Sequence, residues 1–422
     1  MQDIFEDLKF RGLIYQITNE KGLKERLKNE KIVLYCGFDP TAPSLHLGNL
    51  VPLLTLRRFQ AFGHHPIALV GGGTALIGDP SGKTKERILN PVEKVREWGE
   101  RLKKQFEKIL DFATKKNPAK ILDNFEWLSK IDLISFLRDY GKHFQVSQMI
   151  SREWVKQRVS TTGISFCEFS YMVLQAIDFL KLYEKEKCQL QIGGSDQWGN
   201  IVCGIELIKK IKGVEVFGFT LPLLLTKSGK KFGKTEKGAI FLDKNLTPVY
   251  QFYQYLINTD DRDVIQLLKY FTFLSKEEIE EIEKEMEENP KERKAQKVLA
   301  RELTKLIHGE KELKRVERIS ELLFYGKVKE LKEEEIKEAL FDVPTKKISI
   351  GKEIEVLDLL KEGGVVNSKS EAKRLIQQKG VMINEELIED KGKKFSKKDA
   401  MYGKYFVIRK GKKNYFLVEL EN

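Results

Sequence analysis

Several short stretches contain residues that could bind a nucleotide or a small polar molecule, and most of these stretches also contain glycines. In the first, FDPTAPSLHLGNL (38–50), His46 and Asn49 flank Gly48, and Thr41 lies on the preceding turn. A helical pattern follows, and the unpaired N–H groups at a helix start bind phosphate readily. Gly48 would let a flat group approach the backbone. A lone histidine is more often a satisfied core or surface residue, but the glycine and the helix start favour a nucleotide site.

The second stretch, GGGTALIGDPSGKTKER (71–87), resembles a phosphate-binding P-loop but fails on spacing. Only three residues separate the two glycines that precede the lysine, whereas the P-loop pattern requires four. Asp79 is suited to bind a cation such as an ammonium group. Lys83 and Arg87 follow as positive groups suited to phosphate. An ordinary turn followed by solvated charges is an equally good interpretation of the stretch alone.

The sharpest local signal is FSYMVLQAIDFLKLY (169–183), in which Tyr171, Gln175 and Asp178 share one helical face. The residues around them are apolar, and a helix that is apolar on most sides is buried. A buried carboxylate needs a partner, so Asp178 is expected to have one. The polar stripe predicts a small-molecule pocket for hydroxyl or amine groups. An internal hydrogen-bond network is the alternative.

Two further loops carry polar groups beside glycines. IGGSDQWGN (192–200) offers Asp196 and Gln197 as acceptors for hydroxyl groups such as those of a ribose. TKSGKKFGKTEKG (226–238) combines basic and hydroxyl residues with three glycines. This composition predicts a mobile loop that closes on phosphates. A solvated run of charges is the commoner interpretation of such a loop taken alone.

Four β-rich runs must position these stretches, at 31–38, 64–72, 189–194 and 219–225. Helical patterns lie between them, and strands that alternate with helices predict a parallel α/β sheet. Ligands bind at the carboxyl ends of such strands. The glycine-rich turns that follow the strands are therefore expected to meet at one cleft.

The remainder of the chain changes in character. We predict a catalytic α/β domain over 1–240, an α-helical domain over 241–325, a charged linker over 326–353 and a small α+β domain over 354–422. The last range contains 15 basic and 11 acidic residues. The boundaries follow shifts in charge and in aromatic content.

Composition narrows the partners and the compartment. The 422 residues carry a formal net charge of +12, which favours a polyanionic partner, although 63 acidic residues stand against 75 basic ones. The four cysteines have neither CxxC nor zinc-binding spacing, which is typical of a reduced intracellular chain. With no apolar signal region or spanning run, we expect a cytoplasmic protein and no membrane partner.

Taken together, the chain resembles the bacterial tyrosyl-tRNA synthetases, which are class I synthetases, over essentially its whole length. HLGN (46–49) resembles their HIGH signature, with asparagine as its last residue, and KFGKT (231–235) resembles their KMSKS signature. GGSDQWGN matches the adenylate-side loop. SKSEAKRLIQQKGVMIN (368–384) is similar to an S4 RNA-binding module. The resemblance implies a Rossmann-like catalytic domain, then an α-helical tRNA-binding domain and an S4-like domain.

The resemblance also implies roles for individual residues. The residues implied for catalysis and the phosphates are Thr41, His46, Asn49, Lys83, Arg87, Lys231, Lys234 and Thr235. Those implied for tyrosine are Asp79, Tyr171 and Gln175 at the amino group, and Tyr35 and Asp178 at the phenolic hydroxyl. Those implied for ATP or the adenylate are Cys36, Gly37, Asp39, Gly48, Gly194, Asp196, Gln197 and Lys234. Those implied for RNA, on a predicted helix, are Lys369, Lys373, Arg374 and Lys379.

The implied activity is a tyrosine–tRNA ligase that activates L-tyrosine with ATP and transfers it to the 3′ end of tRNA(Tyr). ATP is then a substrate, and Mg²⁺ shares the charge of its phosphates. No metal site is expected in the protein itself. The expected partner subunit is a second copy of this chain, which gives a homodimer. Three alternatives stay open. They are a tryptophanyl-tRNA synthetase, a non-catalytic RNA-binding paralogue, and a P-loop phosphotransferase, which the glycine spacing disfavours.

Overall fold

The protein divides into two compact units. A computed structural model describes residues 3–82, 88–235, 238–411 and 414–421. The first unit comprises Met1–Thr247 and Leu256–Ile307, and the second comprises Pro248–Tyr255 and His308–Asn422. Each unit has its own hydrophobic core.

Strands and helices alternate in the first part of the chain. The strands of the first unit are β1 (Gln16–Ile17), β2 (Val33–Phe38), β3 (His65–Val70), β4 (Lys120–Asp123), β5 (Cys188–Gly194), β6 (Phe217–Leu221), β7 (Lys234–Thr235) and β8 (Gly238–Ala239). Its helices are α1 (Ile4–Arg11), α2 (Glu20–Asn29), α3 (Leu47–Ala61), α4 (Val92–Phe106), α5 (Phe125–Leu128), α6 (Leu133–Ser135), α7 (Val146–Ile150), α8 (Glu153–Thr161), α9 (Phe166–Glu186) and α10 (Trp198–Lys212). The later helices are α11 (Val249–Ile257), which begins in the second unit, α12 (Asp261–Phe271), α13 (Lys276–Glu288) and α14 (Lys294–His308).

The central sheet is parallel, as predicted. Its strand order is β1-β6-β5-β2-β3-β4, and only the short edge strand β1 runs antiparallel within it. The predicted strand at 219–225 differs in extent, since β6 ends at Leu221 and Pro222 follows. Proline has no N–H to donate to a neighbouring strand. The sequence analysis did not include β1 or β4, which lie at the two edges.

The second half of the first unit is helical and amphipathic. In α12 the buried residues Val264, Leu267, Leu268 and Phe271 follow the three-to-four-residue spacing of one helix face. Asp260 caps this helix by accepting the N–H of Arg262 at 2.9 Å. The cap and the apolar face explain why a stretch rich in charges forms a packed helix.

The second unit contains a five-stranded mixed sheet. The strands of the second unit are β9 (Thr345–Ile348), β10 (Ile354–Glu355), β11 (Val381–Ile383), β12 (Glu386–Leu387), β13 (Lys394–Phe395), β14 (Tyr405–Lys410) and β15 (Asn414–Leu420). Its helices are α15 (Glu310–Tyr325), α16 (Glu333–Ala339), α17 (Val356–Glu362) and α18 (Lys369–Gln377). The sheet order is β12-β11-β14-β15-β9, and β10 pairs separately with β13.

The predicted linker at 326–353 differs from the structure in part. One short helix, α16, is compatible with the predicted linker. The difference is β9, which pairs in parallel with β15. The sequence analysis missed β9 because three of its four residues are exposed, so the strand shows little apolar signal. The other domain boundaries stay predictions.

Two residues form the hairpin turn between β11 and β12. Asn384 and Glu385 have φ values of 45° and 68°, the left-handed region that a tight two-residue hairpin turn requires. Asn384 stabilises the turn, because its Oδ1 accepts the N–H of Val407 at 2.8 Å. Within the described residues, no helix combines the length and the apolar character needed to cross a membrane.

Candidate active site

One cleft of about 440 Å³ opens at the carboxyl ends of β2, β3, β5 and β6, where the sequence analysis predicted it. It brings together most of the predicted site residues. Those that line it are Tyr35, Cys36, Gly37, Asp39, Thr41, His46, Gly48, Asn49, Asp79, Tyr171, Gln175, Asp178, Gly194, Asp196, Gln197, Lys231 and Lys234.

Three of the predicted catalytic residues are not in that lining. Lys83 and Arg87 lie outside the described residues. Thr235 is described but does not line the cleft, and its hydroxyl donates to the carbonyl of Gly238 at 3.2 Å. Its role at the phosphates stays a prediction.

Asp178 lies at the deep end of the cleft, and it has the partners that a buried carboxylate needs. Its Oδ2 accepts from Nδ2 of Asn124 at 2.8 Å, and its Oδ1 accepts from Nε1 of Trp127 at 2.7 Å. Burial raises the pKa of Asp178 to about 8, although both hydrogen bonds act in the opposite direction. The carboxylate is therefore held in one orientation at the end of the cleft.

Tyr35, on β2, lies beside Asp178 of α9. Its side chain is 1% exposed, and its hydroxyl has no hydrogen-bond partner in the described part of the chain. Burial raises the pKa of this phenol well above its usual value, and the nearby Asp178 adds to the effect. An unpartnered buried hydroxyl is costly unless a ligand completes its hydrogen bond. Tyr35 and Asp178 together can bind one hydroxyl group of a ligand.

Tyr171 is held by Asp39 at the middle of the cleft. The Tyr171 hydroxyl donates to Oδ2 of Asp39 at 2.7 Å, and the Thr74 hydroxyl donates to Oδ1 at the same distance. Burial raises the pKa of Tyr171 well above its usual value. Because its proton faces Asp39, the Tyr171 oxygen keeps a lone pair that can accept from an ammonium group. Asp39 thus positions Tyr171 from within the cleft wall.

A chain of amides links Asp79 to Gln175. The side-chain amide of Gln197 donates to Oδ2 of Asp79 at 2.6 Å. Asn200 donates to Oε1 of Gln197 at 3.2 Å and to Oε1 of Gln175 at 3.0 Å. The network holds one carboxylate and two amide oxygens around the cleft. Burial also raises the pKa of Asp196, with the like charge of Asp79 as a smaller cause.

The start of α3 explains the spacing of His46, Gly48 and Asn49. Nδ1 of His46 accepts the N–H of Gly48 at 3.0 Å, and Oδ1 of Asn49 accepts the N–H of His46 at 3.1 Å. This is a reciprocal cap of the helix start. A Cβ at Gly48 would lie 2.9 Å from Cε1 of His46, so a side chain there would require the imidazole to shift. Since Oδ1 caps the helix, the amide nitrogen of Asn49 is the donor left for a ligand.

The loop 226–235 meets the start of α3 at Gly233. This glycine has a φ of 81°, and a Cβ there would lie 2.9 Å from Cβ of Leu47. The N–H of Ile240 donates to the carbonyl of Gly233, and the N–H of Leu47 donates to the carbonyl of Ile240. Lys231 and Lys234 thereby line the cleft beside His46. This end of the cleft carries the positive charge that phosphates require.

The sequence analysis missed several residues of the site. Asn124 and Trp127 follow the unpredicted strand β4. Their side chains donate to Asp178 of α9, about fifty residues further along the chain. Thr74 and Asn200 lie within the glycine-containing stretches 71–87 and 192–200, but nothing in their spacing marks them as site residues. The one available signal was indirect, because the predicted burial of Asp178 required a donor somewhere in the chain.

The RNA-binding candidates lie in the second unit. Lys369, Lys373 and Arg374 are on α18, but Lys379 lies beyond its end with a φ of 53°, so its placement on the helix was wrong. Nζ of Lys369 pairs with the carboxylate of Asp358, and Nζ of Lys379 pairs with that of Glu389, each at 2.6 Å. Exposed pairs of this kind are weak, so they compete little with a phosphate.

A nucleotide-sized cleft at the parallel strand ends, with HLGN at a helix start and KFGKT beside it, defines a class I tRNA synthetase catalytic domain. A family model described as "tRNA synthetases class I (W and Y)" matches residues 27–325. A second, "Tyrosine--tRNA ligase SYY-like C-terminal domain", matches residues 335–418.

Comparison with individual related proteins narrows the family further. The "Tyrosine--tRNA ligase" of Bacillus caldotenax is 54% identical over 99% of both chains, and the "Tyrosine--tRNA ligase 1" of Bacillus subtilis is 51% identical over the same shares. A crystal structure of a C-terminally truncated mitochondrial tyrosyl-tRNA synthetase from Aspergillus nidulans is 32% identical with a TM-score of 0.70, over 76% of this chain and 94% of that one. The chain belongs to the tyrosine–tRNA ligases.

Proposed function

We propose that the protein activates L-tyrosine with ATP and transfers the tyrosyl group to the 3′ end of tRNA(Tyr). The observation that carries the choice of amino acid is the pair at the deep end of the cleft. There the buried hydroxyl of Tyr35 lacks a partner among the described residues and the carboxylate of Asp178 is held by two donors. A phenolic hydroxyl can accept from Tyr35 and donate to Asp178, whereas phenylalanine would leave the Tyr35 hydroxyl without a partner and place an apolar ring edge against Asp178.

The rest of the cleft fits the remainder of the substrates. Asp79, Tyr171 and Gln175 present oxygens to the ammonium group of tyrosine. Asp196 and Gln197 accept from the ribose hydroxyls, and the backbone of β2 at Cys36 and Gly37 flanks them; a Cβ at Gly37 would meet open space. Thr41, His46 and Asn49 bind the phosphates, with Gly48, Gly194 and Asp39 forming the wall. Lys83, Arg87, Lys231, Lys234 and Thr235 are assigned to the pyrophosphate.

In the first step a carboxylate oxygen of tyrosine attacks the α-phosphorus of ATP. The new P–O bond forms as the bond to pyrophosphate breaks, and the products are tyrosyl-adenylate and pyrophosphate. The carboxylate is already a nucleophile, so the residues act by positioning and by stabilising charge on the phosphates. In the second step a terminal hydroxyl of tRNA attacks the tyrosyl carbonyl, and AMP leaves.

Mg²⁺ belongs to this proposal as part of the substrate MgATP. Among the described residues, no cluster of three or more His, Cys, Asp or Glu side chains could hold a metal ion. The phosphate end of the cleft offers Lys231, Lys234 and His46, which complement anions. A cation that shares the phosphate charge therefore arrives on the nucleotide.

The second unit supports binding of tRNA. Lys373 and Arg374 are exposed on α18, where they can contact phosphates, and Lys369 and Lys379 flank them. The α-helical segment over 241–325 is proposed to contribute as well.

Free cysteines at all four positions fit a reducing compartment, and we propose a cytoplasmic location.

A homodimer is also part of the proposal. Large apolar side chains are exposed in one segment of the first unit. They are Leu133, Ile134, Leu137, Val146, Ile150, Val159 and Phe166, at 41–71% exposure. A concentration of this kind marks an interaction surface. Replacing Ile134 and Phe166 by glutamate is expected to give a monomer in sedimentation velocity, whereas an unchanged sedimentation coefficient would contradict this surface.

The test of the activity is ATP–pyrophosphate exchange without tRNA, compared for tyrosine, phenylalanine and tryptophan. Exchange with tyrosine alone is the expected result. Preference for tryptophan would favour the tryptophanyl alternative. Absence of exchange with all three would overturn the enzyme assignment in favour of an RNA-binding paralogue.

A further inference from the structure

The loop 226–235 is tied at its base to α12. The backbone N–H of Lys227 donates to Oδ1 of Asp263 at 2.7 Å. Asp263 is 7% exposed and is the third residue of α12. The loop also closes on itself, because the N–H of Thr226 donates to the carbonyl of Lys230 at 2.8 Å. The Asp263 bond therefore joins a preformed hairpin to the helix.

A second contact joins the loop to the other end of the same helix. The side chain of Phe232 is buried, and its ring centroid lies 6.4 Å from that of Phe271, the last residue of α12. Phe232 follows Lys231 directly and lies two residues before Lys234. Lys231 thus lies between the two anchored positions, Lys227 and Phe232, and Lys234 lies two residues beyond the second anchor.

The helix α12 is itself fixed to α1 and α3. Arg11 of α1 donates to the carbonyl of Lys269 at 3.1 Å, and Arg58 of α3 donates to the carbonyl of Thr272. Both arginines are buried, and they complement the negative end of the α12 dipole. Since α3 begins beside His46, α12 links the loop to the helix that carries the histidine.

We propose that Asp263 is a positioning residue for the activation step. By holding the N–H of Lys227, it fixes the base of the loop so that Lys231 and Lys234 meet the phosphates in the reacting geometry. Asp263 does not line the cleft. The inference rests on the proposed function, since it assigns the lysines to ATP.

Two substitutions separate the hydrogen bond from the charge at the helix start. Asp263→Ala removes both, whereas Asp263→Asn removes the charge and keeps an oxygen that can accept the N–H of Lys227. Asp261→Ala is the matched control. It removes a carboxylate from the same first turn together with its 2.6 Å bond to Gln296, but it leaves the loop contact in place.

In ATP–pyrophosphate exchange, Asp263→Ala is expected to lower kcat about tenfold with the KM for tyrosine unchanged. Asp263→Asn and Asp261→Ala are expected to stay near the wild-type rate. Deuterium exchange followed by mass spectrometry should show faster uptake over 226–235 in Asp263→Ala only. This second readout does not require catalysis.

The outcomes are separable. Wild-type rates and uptake in Asp263→Ala would overturn the positioning role. Equal impairment of Asp263→Asn and Asp263→Ala would also overturn it, because the helix-end charge would then be the cause. If the wild-type protein exchanges with no amino acid, the proposed function fails, and the uptake difference alone decides whether Asp263 anchors the loop.

Discussion

The two ends of the cleft are built in different ways. At the deep end Tyr35 and Asp178 are 1% and 2% exposed, and two further side chains fix the carboxylate. At the phosphate end Lys231 and Lys234 are exposed on a hairpin loop. The deep end belongs to a strand and a long helix of the sheet domain, whereas the outer end depends on a loop and on a helix cap.

The difference follows from what each end must recognise. Selecting a hydroxyl requires desolvated polar groups whose hydrogen bonds a ligand without that hydroxyl cannot complete. Such groups are therefore buried and held in place. Neutralising a charged leaving group requires long cationic side chains that approach after the nucleotide has entered. In the proposed function, burial therefore gives specificity and the exposed loop gives charge stabilisation.

The largest expected effect is at the phosphate end. Replacing Lys231 and Lys234 together by alanine should lower the exchange rate by roughly a hundredfold or more, because two charges that stabilise the leaving pyrophosphate are lost. Tyrosine binding measured by calorimetry should not change. The control is Lys230→Ala, which removes an exposed lysine of the same loop that does not line the cleft. A loss of tyrosine affinity in the double variant would contradict the separation of the two ends.

A smaller effect is expected at the deep end, on selectivity. Asp178→Ala should reduce the preference for tyrosine over phenylalanine, measured as the ratio of kcat/KM in exchange, by about 10- to 100-fold, because the buried hydrogen bond between Asp178 and the phenolic hydroxyl is lost. Circular dichroism should show a folded protein. An unchanged ratio would mean that Asp178 does not read the phenol.

Trp127 tests whether the deep end depends on its supporting donors. Trp127→Phe removes the donor to Oδ1 of Asp178 while keeping an aromatic side chain. We expect the KM for tyrosine to rise by up to about tenfold with kcat for exchange little changed. Trp98→Phe, on α4, is the matched control and should behave as the wild type. Equal values for the two variants would show that one donor suffices.

The smallest effect concerns stability and pH. Burial raises the pKa of Asp178 from 3.8 to about 8, so the folded state binds its proton more tightly than the unfolded state. This contribution to stability is complete below about pH 4 and is lost as the pH rises toward 8. The free energy of unfolding of the wild type relative to Asp178→Asn should fall by roughly 1.4 kcal/mol per pH unit at most between those limits.

Urea unfolding of both proteins at pH 6 and pH 7 checks this expectation. The amide that Asp178→Asn introduces cannot titrate, so groups elsewhere in the chain cancel in the difference between the two proteins. A difference that does not change with pH would mean that Asp178 stays ionised in the folded protein over this range.

The partners of the predicted residues were harder to find than the residues themselves. The polar stripe of Tyr171, Gln175 and Asp178 could be predicted because helical periodicity is local. Asn124 could not, because its role depends on the pairing of β4 with β3, which places Asn124 beside α9. The short, largely exposed strand β9 escaped prediction for the same reason, since only its pairing with β15 defines it.

The amino-acid sequence by itself determined the class of fold and the cleft at the strand ends, because apolar periodicity, glycines and helix starts act over a few residues. The resemblance to the synthetases implied several of the residues that face the cleft, such as Tyr35, Cys36 and Asp39. Only the tertiary structure decided which side chains hold those residues. Asn124 and Trp127 bind Asp178, Asp39 binds Tyr171, and Asp263 binds the loop that carries the lysines. Hydrogen bonds of this kind join positions that are far apart in the chain, and packing alone brings them within reach.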